Sequence, residues 1–107
     1  MNELKVADFS EFPGPRKESI GPNSGEKFRD EKLIPAIHKY GKNLKVNLDD
    51  TAGYGSSFLE EAFGGLIRCG IDKDVVLSIC DNLISSEDPS LISEIKLYVH
   101  DEIKRSQ

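Results

Sequence analysis

Across residues 44–67 the hydrophobic pattern changes period. Leu44, Val46 and Leu48 alternate with Lys45 and Asn47, the spacing of a strand with one buried face. Past a loop punctuated by Gly53 and Gly55, residues Phe58, Leu59, Ala62, Phe63, Leu66 and Ile67 recur at helical spacing, with Glu60, Glu61 and Arg68 on the opposite side. A strand, a glycine-bearing loop and an amphipathic helix in that order commit the chain to an α/β layer with partly parallel strands and right-handed crossovers. Such βα loops are where open α/β sheets present their working surface.

The flanking segments fit that plan. Leu4, Val6 and Phe9 suggest a first strand over about residues 3–9. The stretch from Phe12 to Gly25 holds three of the five prolines, so it reads as a structured loop or short hairpin. Ser24 is placed to cap a helix running to about Tyr40, with a kink or break expected at Pro35 and an end at Gly41. Gly64 and Gly65 inside the central helix each cost about 1 kcal/mol relative to alanine, which close approach of a neighbouring element would offset. Asp72–Cys80 reads as strand by its β-branched content and as a short helix by an Asp72 cap; the helix is favoured because Leu83–Ser86 then forms the next strand. Asp88 and Pro89 open a last helix with Leu91, Ile92, Ile95, Val99 and Ile103 inward.

At 107 residues the chain is one domain, residues 1–107, with a formal charge of −5. That charge and the scattered basic residues disfavour nucleic acid and anionic membranes as partners. No signal peptide or membrane span is visible, which places the protein in the cytoplasm. Cys69 and Cys80 have neither CxxC spacing nor nearby histidines, so they read as two buried thiols, and His38 and His100 as surface or boundary residues.

The candidate site lies on the central loop. Ser57 with Glu60 has the spacing of a capping box. Asp49 and Asp50 follow the strand, where they serve turns or a ligand, with Asp8 the one further acid for a metal; turn capping is favoured. Tyr54 between glycines either stands out as an interface anchor or folds onto the sheet edge. Arg16 either pairs with Asp49 or Asp50 or is solvated. The loop lacks the lysine of a phosphate loop and the serines lack a nucleophile elbow, so neither cofactor, metal nor catalysis is expected.

Three segments, Phe12–Arg16, Gly21–Arg29 and the block Gly53-Tyr-Gly-Ser-Ser-Phe-Leu-Glu-Glu-Ala-Phe-Gly-Gly-Leu66, resemble the bacterial STAS-like family of unknown function, over about Val6 to Tyr98. The resemblance implies a mixed sheet of about four strands with about four helices packed on it. It also implies a parallel with anti-sigma-factor antagonists, in which a serine opening the helix after the central strand is phosphorylated by a histidine-kinase-like ATPase. Unphosphorylated antagonist binds that kinase and phosphorylation releases it. The matching positions are Ser57 and its neighbour Ser56, although Gly55 and Phe58 stand where antagonists carry Asp and Gly. On that reading the chain is a non-enzymatic regulatory module. Asp49, Asp50, Tyr54, Gly55, Phe58 and Glu61 would meet the partner. The alternative is a small-ligand or nucleotide sensor using the Asp49–Phe58 loop.

Overall fold

The computed structural model describes residues 2–107. Strand β1 (Glu3–Lys5) runs parallel to β2 (Lys45–Asn47), with Leu4 opposite Val46. Residues 83–86 contribute only a parallel bridge from Ile84 to Asn47, sealed by Ile84 N–H to the Val46 carbonyl at 2.9 Å and Leu48 N–H to the Ile84 carbonyl at 2.8 Å. Among the described residues the sheet is therefore two parallel strands with one bridged residue beside them, not about four strands. β2 is interior, as its alternation requires. Leu44, Val46 and Leu48 are buried beneath the helices, while Glu3, Lys5 and Lys45 face solvent.

Residues 6–9 form a helical turn, α1 (Val6–Phe9), rather than extending the first strand. The Val6–Phe9 spacing fits either geometry, and Val6 is wholly buried in the helical one. The second helical body is composite. α2 (Gly25–Phe28) opens at Ser24, whose hydroxyl accepts from Lys27 N–H at 3.0 Å, and passes through a π turn (Arg29–Leu33) into α3 (Ile34–Tyr40). Pro35 neither breaks nor ends it. The π turn closes from Ile34 N–H onto the Arg29 carbonyl, and Pro35 falls in the first turn of α3, where its missing N–H matters least. Gly41 ends the helix.

The central helix has the same construction: α4 (Ser56–Leu59), a π turn (Glu60–Gly64) and α5 (Gly65–Arg68). Two glycines let these composite helices meet. A Cβ on Gly25 would stand 2.5 Å from the Phe58 carbonyl oxygen, and one on Gly65 would stand 2.6 Å from Arg29 Nη1. Gly65 thus makes room for a buried arginine, and Gly64 for the Glu60 carboxylate. α6 (Lys73–Asp81) is a helix, capped by Asp72 accepting from Asp74 N–H at 2.7 Å. α7 (Ser90–Arg105) starts one residue later than expected, with Pro89 at the cap and Asp88 accepting from Ser90 N–H.

Phe28, Phe58, Phe63, Leu66, Ile79, Ile95 and Val99 fill the core between these helices and the sheet. Cys80 is buried and its thiol is pushed up to about 11 by that burial, whereas Cys69 is exposed, against the expectation of two buried thiols. Cys69 ends α5 beside Gly70, outside the apolar stripe. No described helix is long and apolar enough to cross a membrane.

Candidate functional site

The loop from Leu48 to Gly55 leaves the carboxyl end of β2 and is tied down at each step. The Asp49 carboxylate accepts from the Ser86 and Glu87 amides at 3.1 and 3.0 Å. Glu87 returns the contact by accepting from Asp50 N–H at 2.8 Å, with Asp50 in the left-handed region at φ 68°. Ala52 N–H donates to the Glu11 carbonyl at 2.8 Å, fastening this loop to the proline-rich one. Tyr54 takes the second of its two expected positions. It folds down, donates to the Leu48 carbonyl at 2.8 Å and packs its ring 5.7 Å from Phe58. Burial pushes its hydroxyl up to about 12, so it remains a neutral donor.

These loops enclose an open cleft of about 310 Å³ lined by Leu48, Asp49, Thr51, Ala52, Gly53, Tyr54, Ser85, Glu87, Asp88 and Leu91. Its charged groups are all acidic. Among the described residues no group of three or more His, Cys, Asp and Glu side chains is arranged to hold a metal ion. On the outer side Asp50, Ala52, Gly53, Gly55 and Ser56 are exposed, and Phe12, beside the Glu11–Ala52 bond, is 72% exposed.

Two expected docking residues do not reach the surface. Phe58 is wholly buried, stacked on Phe28 at 6.0 Å. Glu61 is 4% exposed and forms a salt bridge with Arg29, which is also buried. Phe58 supports the Tyr54 ring from beneath, while Glu61 faces Arg16, Lys17, Arg29 and Arg68. The capping box is also absent: Gly55 occupies the cap position, no side chain caps the helix, and the Glu60 carboxylate is drawn away by Arg16 and Arg68. Ser56→Ala and Ser57→Ala should therefore each change stability by less than about 0.5 kcal/mol. Urea midpoints test this; a loss of about 1 kcal/mol at either serine would restore it as the cap.

Arg16 is bound by neither Asp49 nor Asp50. It bridges Glu60 and Glu61, the latter at 3.1 Å, while Lys17 lies 3.5 Å from Glu61 and Arg68 lies 2.8 Å from Glu60 and 2.7 Å from Glu102. Basic residues that look scattered in the sequence thus converge on the π turn of the central helix. Hydrogen bonds from Arg68 lead in holding the Glu60 carboxyl down at about 2. Burial works to raise Glu61, but the bonds from Arg29 and Arg16 outweigh it and the net shift is downward. Carboxyls depressed in the folded state stabilise it above their unfolded value of about 4.3 and lose that contribution as pH falls through the folded value. Stability should drop between about pH 5 and pH 2, by about 2 kcal/mol for Glu60. Urea midpoints across that interval, with Glu60→Gln flattening the profile, are the check; a flat wild-type profile would mean unpaired carboxylates.

The fold and site define a small α/β domain whose presented surface is a pinned loop at the carboxyl end of its central strand. Residues 24–79 match the family described as a STAS-like domain of unknown function, and the chain belongs to that family. No curated protein and no solved structure matches the chain.

Proposed function

We propose that this STAS-like domain is a non-enzymatic cytoplasmic module that docks another protein through the outer face of the Asp49–Ser57 loop. The partner class is a histidine-kinase-like ATPase, and phosphorylation of the serine pair regulates the contact. One observation carries the reading: the loop is pinned from beneath by Asp49, Glu87, Tyr54 and Glu11, yet its outer residues and the adjoining Phe12 are exposed. A surface already held in shape loses little entropy on binding, and an exposed aromatic beside it supplies an anchor. The acidic cleft calls for a cationic face on the partner, so association should slow as salt rises.

A pull-down from the native cell with wild type, Phe12→Ala and Ser57→Asp is the test. An ATPase of this class retained by wild type and lost with both variants supports the proposal. Equal recovery on all three would remove this face from the contact. The cleft itself favours a second reading, a small-ligand sensor, since its volume reaches the lower end of ligand pockets. Its acidic lining suits a cationic or neutral compound and disfavours nucleotides.

A further inference from the structure

We propose that this chain pairs with a second copy of itself along β1, the two strands running antiparallel about a two-fold axis at Leu4. This pairing is independent of the docking loop. β1 is the edge of a two-stranded sheet, and its bonding pattern follows from its neighbours. On the far side of β2 the even-numbered residues Val46 and Leu48 bond to Ile84, which leaves Lys45 and Asn47 to face β1. Lys45 N–H accordingly donates to the Asn2 carbonyl at 2.9 Å, so the even-numbered residues of β1 turn their backbone groups toward β2. The N–H and carbonyl of Glu3 and the N–H of Lys5 therefore point away from the sheet. No loop or side chain among the described residues bonds to them.

An open strand edge can accept any extended segment, and the side chains on this one select its own copy. Glu3 and Lys5 are exposed on the solvent face, and the salt bridges of the described residues involve neither. Asn47 donates to one Glu3 carboxylate oxygen at 2.9 Å, which lays that side chain along the sheet. Turned about Leu4, the strand sets Glu3 opposite Lys5 of the second copy and Lys5 opposite its Glu3. Each is a hydrogen-bonded antiparallel pair, with Lys5 N–H aimed at the Glu3 carbonyl across it. Because Glu3 already lies level with Lys45, the solvent face then reads Lys45, Glu3 and the second copy's Lys5, with signs alternating across three strands.

On the opposite face Leu4 meets its own copy at the axis, in the closer, non-hydrogen-bonded pairing. Leu4 is level with the wholly buried Val46 yet only half-buried itself, so the contact extends an apolar row that now stops at the edge. A slip of two residues would keep these faces but bring Glu3 opposite Glu3, or Lys5 opposite Lys5, and repulsion disfavours both. The product is a continuous sheet of four strands in the order β2, β1, β1, β2. Its contact is narrow, so the dimer is a weak one whose population rises with concentration.

Sedimentation velocity from micromolar to millimolar concentration tests this on the full chain. The proteins are wild type, Glu3→Lys, Lys5→Glu and the double exchange Glu3→Lys with Lys5→Glu, each shown by circular dichroism to be folded. Wild type should form a dimer as concentration rises. Either single change sets like charges opposite each other at both symmetric pairs and should weaken association about tenfold or more. The double exchange inverts both signs and should restore it. Mixing the two single variants should restore it as well, because opposite charges then meet between unlike chains. A wild type that stays monomeric at millimolar concentration overturns the proposal. A dimer indifferent to these charges, or single variants that fail to associate on mixing, overturns it too, by placing the contact elsewhere.

Discussion

Phe58→Ala is expected to cost about 3–5 kcal/mol, a large share of the roughly 5–15 kcal/mol that holds a domain of this size together. Phe58 is wholly buried, stacks on Phe28 and supports the ring of Tyr54. Deleting it opens a cavity beneath the Leu48–Gly55 loop and removes the floor on which Tyr54 rests. The composite helices cannot close the gap, because the Phe58 carbonyl already touches the backbone at Gly25. Urea denaturation measures the loss. A loss under about 1 kcal/mol would mean that the ring is not enclosed.

Arg29→Ala should be comparably damaging, at about 3–5 kcal/mol, for a different reason. Arg29 is 7% exposed and Glu61 4% exposed, and the arginine donates to both the carboxylate and the backbone carbonyl of Glu61. Removing the guanidinium deletes a buried side chain and takes from Glu61 its buried partner, leaving the carboxylate to the more exposed Arg16, Lys17 and Arg68. Replacing both partners, as in Arg29→Met with Glu61→Leu, should cost less than the sum of the two single replacements. Strictly additive losses across the four proteins, again from urea midpoints, would show that the pair does not interact.

What could be read in the sequence was local. The strand around Val46, the central helix, the Ser24 and Asp72 caps and the helical character of residues 73–81 all depend on neighbours a few positions away, and each is present. Features set by distant partners were hidden. Strand-like residues near Ile84 form only a bridge because β2 is short, and Val6–Phe9 turns helical once Val6 has the core to enter. Glu60 has capping-box spacing after Ser57, yet Arg16, more than forty residues earlier, and Arg68 hold its carboxylate elsewhere. The loop itself was legible as a βα connection. That Ser85, Glu87 and Leu91 complete its cleft, and that Phe12 stands beside it, depends on chain crossings no spacing encodes. Phe58 and Glu61 are candidate partner contacts by their place next to the loop, but both side chains are buried, Phe58 on the apolar stripe its spacing already marks and Glu61 against Arg29.

On the proposed function the exposed loop, not the core beneath it, meets a partner and is controlled at Ser57. Calorimetric titration of the histidine-kinase-like ATPase with wild type, Ser57→Asp and Phe12→Ala, each shown by circular dichroism to be folded, tests it most directly. A carboxylate at the helix N-terminus leaves folding intact. Desolvating that carboxylate in the contact, or losing the aromatic anchor, should weaken binding about tenfold or more. Unchanged affinity in both folded variants would contradict the claim.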